Sequence, residues 1–252
     1  MFEKRVIPVL LINNKRLVKT VRFKNETYIG DPINAARIFS DKEVDELVIC
    51  DKSASSNGVN FKMLEEIVYE CFIPITYAGG VKDIQTMSKL YRMGIEKVCI
   101  DSHNYNDDYL LVQEAASRFG SSSVVSGVTI KKSFFGNYHL FNSSSQKIMK
   151  LDMSSHLLKL KKAGVGEIFI NYADADGLMN GYDIEHIRSL TNEIDVPCVV
   201  CGGAGSIDHV RELLDIKGVT GAAAGSIFVY SSKTKGIMIS YPETSIKSML
   251  NI

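Results

Sequence analysis

The sequence predicts an α/β fold, a (β/α)8 or TIM barrel, and three observations carry that expectation. Eight short runs rich in Val, Ile and Leu recur along 252 residues, each followed by a turn and a longer stretch of helical periodicity. The second half echoes the first: IPITYAGGVKDI from Ile73 matches VPCVVCGGAGSI from Val196 at an offset of 123, and GIEKVCIDS matches GVTGAAAGS at an offset of 124. Hydrophobic residues make up 45% of the chain, enough for a large core, so a disordered chain is excluded.

Taken in order, the runs are RVIPVLLI from Arg5, ELVICD from Glu46, PITYAGG from Pro74, KVCID from Lys97, SVVSGVTI from Ser123, EIFINYA from Glu167, PCVVCGG from Pro197 and TGAAAGS from Thr220. Between them lie amphipathic segments such as those at 83–94, 154–164 and 206–218, which predict helices. Strands apolar on both faces and alternating with helices imply a parallel sheet. Eight βα units in two related halves, approximately 1–120 and 121–252, favour one closed barrel domain over an open doubly wound sheet. The segment KKSFFGNYHLFNSSSQ predicts a strand, a turn and a strand after the fifth run, with Phe134, Phe135, Tyr138 and Phe141 packing on the barrel.

Twenty-nine Lys plus Arg balance 29 Asp plus Glu, so no broad field draws nucleic acid or an anionic membrane. No run of 18 apolar residues occurs and the first residues lack a cleavage pattern, which together read as a cytosolic chain. Five cysteines at irregular positions do not form a disulfide framework. Cys198 and Cys201 fall three apart in a predicted strand, facing opposite sides at about 10 Å, beyond disulfide reach. The five histidines offer no ligand spacing, and neither a metal nor another cofactor is expected.

In a barrel of this kind chemistry sits at the C-terminal ends of the strands. Gly79 and Gly80 follow the third run, and Asp101 and Ser102 the fourth. Gly177 follows Asp176 after the sixth, Gly202 and Gly203 follow the seventh, and Gly225 and Ser226 the eighth. Glycine turns and exposed helix N–H groups suit a phosphate dianion, so each half is expected to hold one phosphate, although the same glycines also serve tight βα turns. The first-half site is the weaker, because the Asp101 carboxylate repels an anion.

These residues resemble the HisF family, the cyclase subunits of imidazole glycerol phosphate synthase. The likeness runs through RVIP, LVKT at 17–20, GDP at 30–32, VDELVICD at 44–51, AGGVKD at 78–83, GVGEIFIN at 164–171, DADGLMNGYD at 174–183 and CGGAGS at 201–206. It implies a glutaminase subunit at the N-terminal barrel face, ammonia passing along the barrel, and a bisphosphorylated ribonucleotide at the C-terminal face. It also implies two catalytic aspartates, at the ends of the first and fifth strands, but Leu11 and Thr129 occupy those positions. Neither side chain replaces a carboxyl near neutral pH. Asp51, Asp174 and Asp176 are the substitute carboxylates near the mouth, and Asp equally suits turns and caps there.

The resemblance further assigns Arg5, Glu46, Lys97 and Glu167 to a charged ring gating ammonia at the barrel floor. A floor network kept only for packing is the plainer alternative. Asp45 and Glu96, beside the ring, suit a basic contact on the glutaminase, as any solvated charge would. Lys19, after the first strand, matches a lysine reaching over the substrate, and the loop VRFKNETYIG that follows it is expected to act as a lid or else to be an exposed basic loop with no role. With the gate kept and the acid–base pair lost, the chain resembles HisF-like paralogues of bacterial surface-sugar and flagellin-glycan pathways, implied to pass ammonia to an ATP-dependent sugar amidotransferase. An active cyclase using other carboxylates is the enzyme alternative. A sugar-phosphate isomerase meets the same missing-carboxylate objection, and a scaffold that conducts nothing would keep its partner without the gate.

Overall fold

Each of the eight apolar runs forms a parallel barrel strand in the computed structural model, which describes residues 3–105, 108–231 and 236–242, with 244, 246 and 248. The strands are β1 (Arg5–Asn13), β2 (Arg16–Val21), β3 (Lys24–Gly30), β4 (Leu47–Asp51), β5 (Ile75–Ala78), β6 (Lys97–Ile100), β7 (Val124–Lys132), β8 (Tyr138–Asn142), β9 (Lys147–Ile148), β10 (Glu167–Tyr172), β11 (Cys198–Cys201) and β12 (Val219–Ala224). Parallel neighbours run β1, β4, β5, β6, β7, β10, β11, β12 and back to β1. Closure is made by β12 on β1, from Arg5 opposite Gly221 to Pro8 opposite Ala224, so none of the eight barrel strands is an edge strand. Pro8 has no N–H to give, and it stands where the pairing of β1 passes from β12 to β4.

The helices are α1 (Pro32–Asp41), α2 (Ala54–Asn57), α3 (Phe61–Tyr69), α4 (Ile84–Met93), α5 (Leu110–Phe119), α6 (Met153–Lys162), α7 (Ile184–Glu193), α8 (Ile207–Leu214) and α9 (Ser226–Val229). Their starts are set by polar residues leaving the strands: Asp31, Asn60, Asp83, Asp152, Asp183 and Ser206 each accept a hydrogen bond from a first-turn N–H. The predicted segments at 83–94, 154–164 and 206–218 correspond to α4, α6 and α8, with α6 starting one residue earlier and each helix ending before its apolar pattern does.

The two halves share more than their barrel strands. Both open on a nine-residue strand that outruns its partners and turns back as an antiparallel ribbon, β1 into β2 and β3, β7 into β8 and β9. The stretch expected as a loop and lid after the first strand is therefore a hairpin. Lys19 lies within β2, and its side chain is buried rather than presented to solvent.

Apolar side chains sort into two layers. One lies between helices and strands and includes Phe39, Leu64, Leu90, Leu160 and Leu213. The other fills the barrel interior with Ile7, Val9, Val48, Cys99, Val125, Phe169, Val199 and Ala223. Cys198 belongs to the outer layer and Cys201 packs against the inner one, as alternation along a strand requires, and all five cysteines are free. Tyr138 and Phe141 pack as expected, but Phe134 and Phe135 do not: they occupy the exposed turn of the second ribbon, where no sheet or helix lies beneath them. Among the described residues no helix is long and apolar enough to cross a membrane.

Candidate functional site

The barrel floor is a closed charge network. Arg5 and Lys97 begin β1 and β6, Glu167 begins β10, and Glu46 immediately precedes β4, so parallel register brings all four to one level. Arg5 donates to Glu46 and, at 2.5 Å, to Glu167; Lys97 donates to the same carboxylates at 2.9 and 3.4 Å. Thr76 adds a hydrogen bond to the second oxygen of Glu46 at 2.6 Å. Each buried carboxylate thus has two cations, which offsets the cost of removing it from water. Asp45 accepts a 2.8 Å hydrogen bond from the Val6 N–H, so it also anchors the start of β1, while Glu96 is exposed beside the ring.

Above the ring the axis is apolar. Gly221 leaves space that Ile7 and Val199 fill: an added Cβ would stand 2.9 Å from a methyl of each. Higher still, Cys50, Cys99 and Cys201 face the interior, and burial pushes the Cys50 and Cys201 thiols up to about 12. They are neutral at physiological pH and continue the apolar lining.

The mouth opens into a cavity of about 470 Å³. Every predicted phosphate residue borders it: Gly79, Gly80 and Ser102 on one side, Gly177, Gly202, Gly203, Gly225 and Ser226 on the other. Some of these glycines also answer to packing. Gly203 has a φ of +119°, and a Cβ there would lie 2.1 Å from the Gly181 carbonyl oxygen. Gly225 is different, because its missing side chain makes room for a charge: a Cβ would stand 2.5 Å from Lys19 Nζ. The Lys19 ammonium is 3.8 Å from Asp176 and beside the Gly225–Ser226 turn, where a phosphate would gain a buried cation as well as backbone N–H groups.

Two substitute carboxylates prove to be engaged structurally. Asp51 is 4% exposed and accepts from Ser53 Oγ at 2.6 Å and from the Ala54 N–H at 3.2 Å, holding the turn into α2. Asp176 accepts from Thr20 Oγ1 at 2.5 Å and the Phe23 N–H at 3.2 Å, while its carbonyl takes the Arg22 N–H at 2.9 Å. It pins the first ribbon to the mouth. Asp174 is turned outward and accepts from the Lys132 N–H.

Leu11 and Thr129 both border the cavity, and Thr129 is not isolated. Its hydroxyl donates to Asp101 at 3.2 Å, and Ser143 donates to the same carboxylate oxygen at 3.3 Å. The other oxygen of Asp101 is buried without a partner. Burial pushes this carboxyl up to about 6, against the opposing pull of the two hydroxyls. From sequence alone Asp101 counts only as a charge opposing phosphate; in the fold it is turned to Thr129, which places a carboxyl beside that hydroxyl at the mouth. The mouth is completed by Asn142 and residues 143–146, which sequence reading leaves as the tail of a ribbon. The polar run NSSSQ was the available signal, and Asn142 folds it by accepting from the Ser144 and Ser145 N–H groups.

A model of the family described as histidine biosynthesis protein matches residues 5–235. The chain is 41% identical to a Pseudomonas aeruginosa protein that bears the provisional name imidazole glycerol phosphate synthase subunit hisF2, across 97% of this chain and 98% of that one. A Vibrio vulnificus protein provisionally named subunit hisF3 is 38% identical, across 98% and 96%. The imidazole glycerol phosphate synthase subunit HisF of Streptococcus mutans is 32% identical, across 91% and 92%.

Proposed function

We propose, from the premise that this chain belongs to the HisF family of imidazole glycerol phosphate synthase subunits, that it receives ammonia from a glutaminase and delivers it to a phosphorylated substrate or partner at its mouth. The observation that carries the reading is the vertical order of the barrel. A self-neutralised ring of Arg5, Glu46, Lys97 and Glu167 lies beneath an apolar interior, and above both is a cavity with a buried lysine and glycine turns. An apolar passage discriminates by charge: ammonium would be stripped of water at a cost of several kcal/mol, whereas neutral ammonia is not so opposed. In this reading a passage opens when the ring and the apolar side chains packed above it, Ile7 and Val199 among them, move aside together; Asp45 and Glu96 at the rim suit a basic glutaminase face.

The acceptor in this reading is a surface sugar, amidinated by a separate ATP-dependent amidotransferase, because Leu11 and Thr129 carry no carboxyl of their own. The test is to mix the chain with a HisH-type glutaminase and follow glutamine hydrolysis. Association and a faster hydrolysis rate are expected; no association and no stimulation reject the proposal. A second reading, a working cyclase that uses another carboxylate, is favoured by one observation: the hydrogen bond between Thr129 and Asp101.

A further inference from the structure

We infer that Asp101 is the proton-transfer residue of the mouth cavity, standing in for the carboxyl that Thr129 lacks. The inference rests on the reading of this site as one where ammonia meets a phosphorylated substrate, and it gives the second of the two functional readings its chemistry.

The geometry follows from three small features. Directly after β6 the chain tightens into the 3₁₀ turn Ser102–Tyr105, with the Asn104 N–H bonded to the Asp101 carbonyl at 3.0 Å. The buried Asn104 amide locks that turn by donating to the Ile100 carbonyl at 3.0 Å and to Ser126 Oγ at 2.8 Å. Gly127, on the interior face of β7 between Val125 and Thr129, leaves the space into which Asp101 turns; a Cβ at Gly127 would lie 2.7 Å from the Asp101 Cβ. The carboxyl is thereby placed at the junction of axis and mouth, on the line by which ammonia would arrive. Thr129 and Ser143 hold one oxygen, leaving the other with a free acceptor site.

The surroundings suit reversible protonation near neutral pH. The Cys99 thiol on β6, the Cys50 thiol on β4 and the Tyr105 phenol in the turn all feel the charge of the carboxyl, and burial keeps each of them neutral. The hydroxyls of Thr129 and Ser143 remain neutral, and burial holds the Asp101 carboxyl at about 6, between an ordinary carboxylate and solution pH. Asp51 and Asp176 lack this freedom, since each is already spent on backbone N–H groups and hydroxyls.

The step is the addition of ammonia to the carbonyl carbon of a phosphorylated keto compound. The nitrogen lone pair forms the C–N bond while the C=O π pair moves to oxygen, leaving a positive nitrogen and a negative oxygen. The Asp101 carboxylate takes a proton from nitrogen, the N–H pair staying on nitrogen, and the resulting carboxylic acid passes that proton to the oxygen. The product is a neutral carbinolamine and the carboxylate is regenerated, with no co-reactant consumed.

The test follows ammonium-driven turnover of the bisphosphorylated ribonucleotide substrate of imidazole glycerol phosphate synthase by the full chain, as wild type, Asp101→Asn, and Asp101→Asn with Thr129→Asp. The single variant is expected to lose about 10²–10⁴-fold in kcat with KM little changed, and to lose the limb near pH 6 in the kcat/KM profile. Returning a carboxyl across the hydrogen bond in the double variant should recover roughly tenfold or more of that loss. Turnover unaffected by Asp101→Asn, or no turnover by the wild-type chain, overturns the inference. Failure of the ammonia reading is scored separately by glutaminase stimulation, which does not need Asp101.

Discussion

At the scale of single residues the chemistry proposed for the mouth opposes stability. The folded chain holds a proton on Asp101 up to about pH 6, whereas the unfolded chain releases it near 3.8. Between those values folding takes up a proton, so this residue's contribution falls as pH rises, and its cost is complete above pH 6. The gap corresponds to about 3 kcal/mol. Urea denaturation of wild type and Asp101→Asn should show a stability difference that grows in favour of the variant by about that amount from pH 4 to pH 8; a difference independent of pH would mean that the carboxyl is ordinary. Lys19 is the complementary case. Its buried ammonium faces the Gly225–Ser226 turn, and charged hydrogen bonds contribute about 1.5–3 kcal/mol. Titration with inorganic phosphate followed by ³¹P NMR should therefore show Lys19→Met binding about 10- to 100-fold more weakly than wild type.

At the scale of elements the two ribbons that rise from β1 and β7 differ in how they are held. The first is fastened to the opposite side of the mouth by Asp176, through Thr20, Arg22 and Phe23. Asp176→Ala removes two acceptor contacts and the counter-charge of Lys19 while leaving the barrel strands intact. Amide hydrogen exchange in residues 20–28 is expected to rise by at least tenfold in that variant, with exchange in β4 and β10 unchanged. The second ribbon carries Phe134 and Phe135 at its exposed turn, 98% and 87% accessible. Replacing both with Ser should alter unfolding free energy by no more than about 0.5 kcal/mol each, a magnitude readable from urea midpoints. A larger loss would show that the pair is packed.

At the scale of the whole molecule the floor ring couples four strands across the axis. Lys97→Leu leaves Glu46 and Glu167 to share Arg5, and breaking a buried pair costs about 3–5 kcal/mol. The variant should unfold at lower urea, and a conduit should lose its stimulation of the glutaminase, while a pure scaffold would keep it. The barrel that holds this ring was legible from residue order. Apolar runs alternating with amphipathic segments can be satisfied only by strands covered on both sides, and the repeat at 123 residues specifies two halves. Most of the mouth was legible too, because glycine turns at strand ends keep their place whatever the loops do.

Sequence by itself determined the closed eight-strand cylinder and the level of Arg5, Glu46, Lys97 and Glu167, since each follows from position along a strand of known direction. Tertiary structure alone decided the side-chain placements at the mouth: that Lys19 is buried in a ribbon, that Asp176 is a fastener, and that Asp101 leans across Gly127 to meet Thr129. The physical reason is range. Strand periodicity is local, but the direction in which a carboxyl turns depends on space left by a glycine 26 residues away on the next strand, and no local pattern records that.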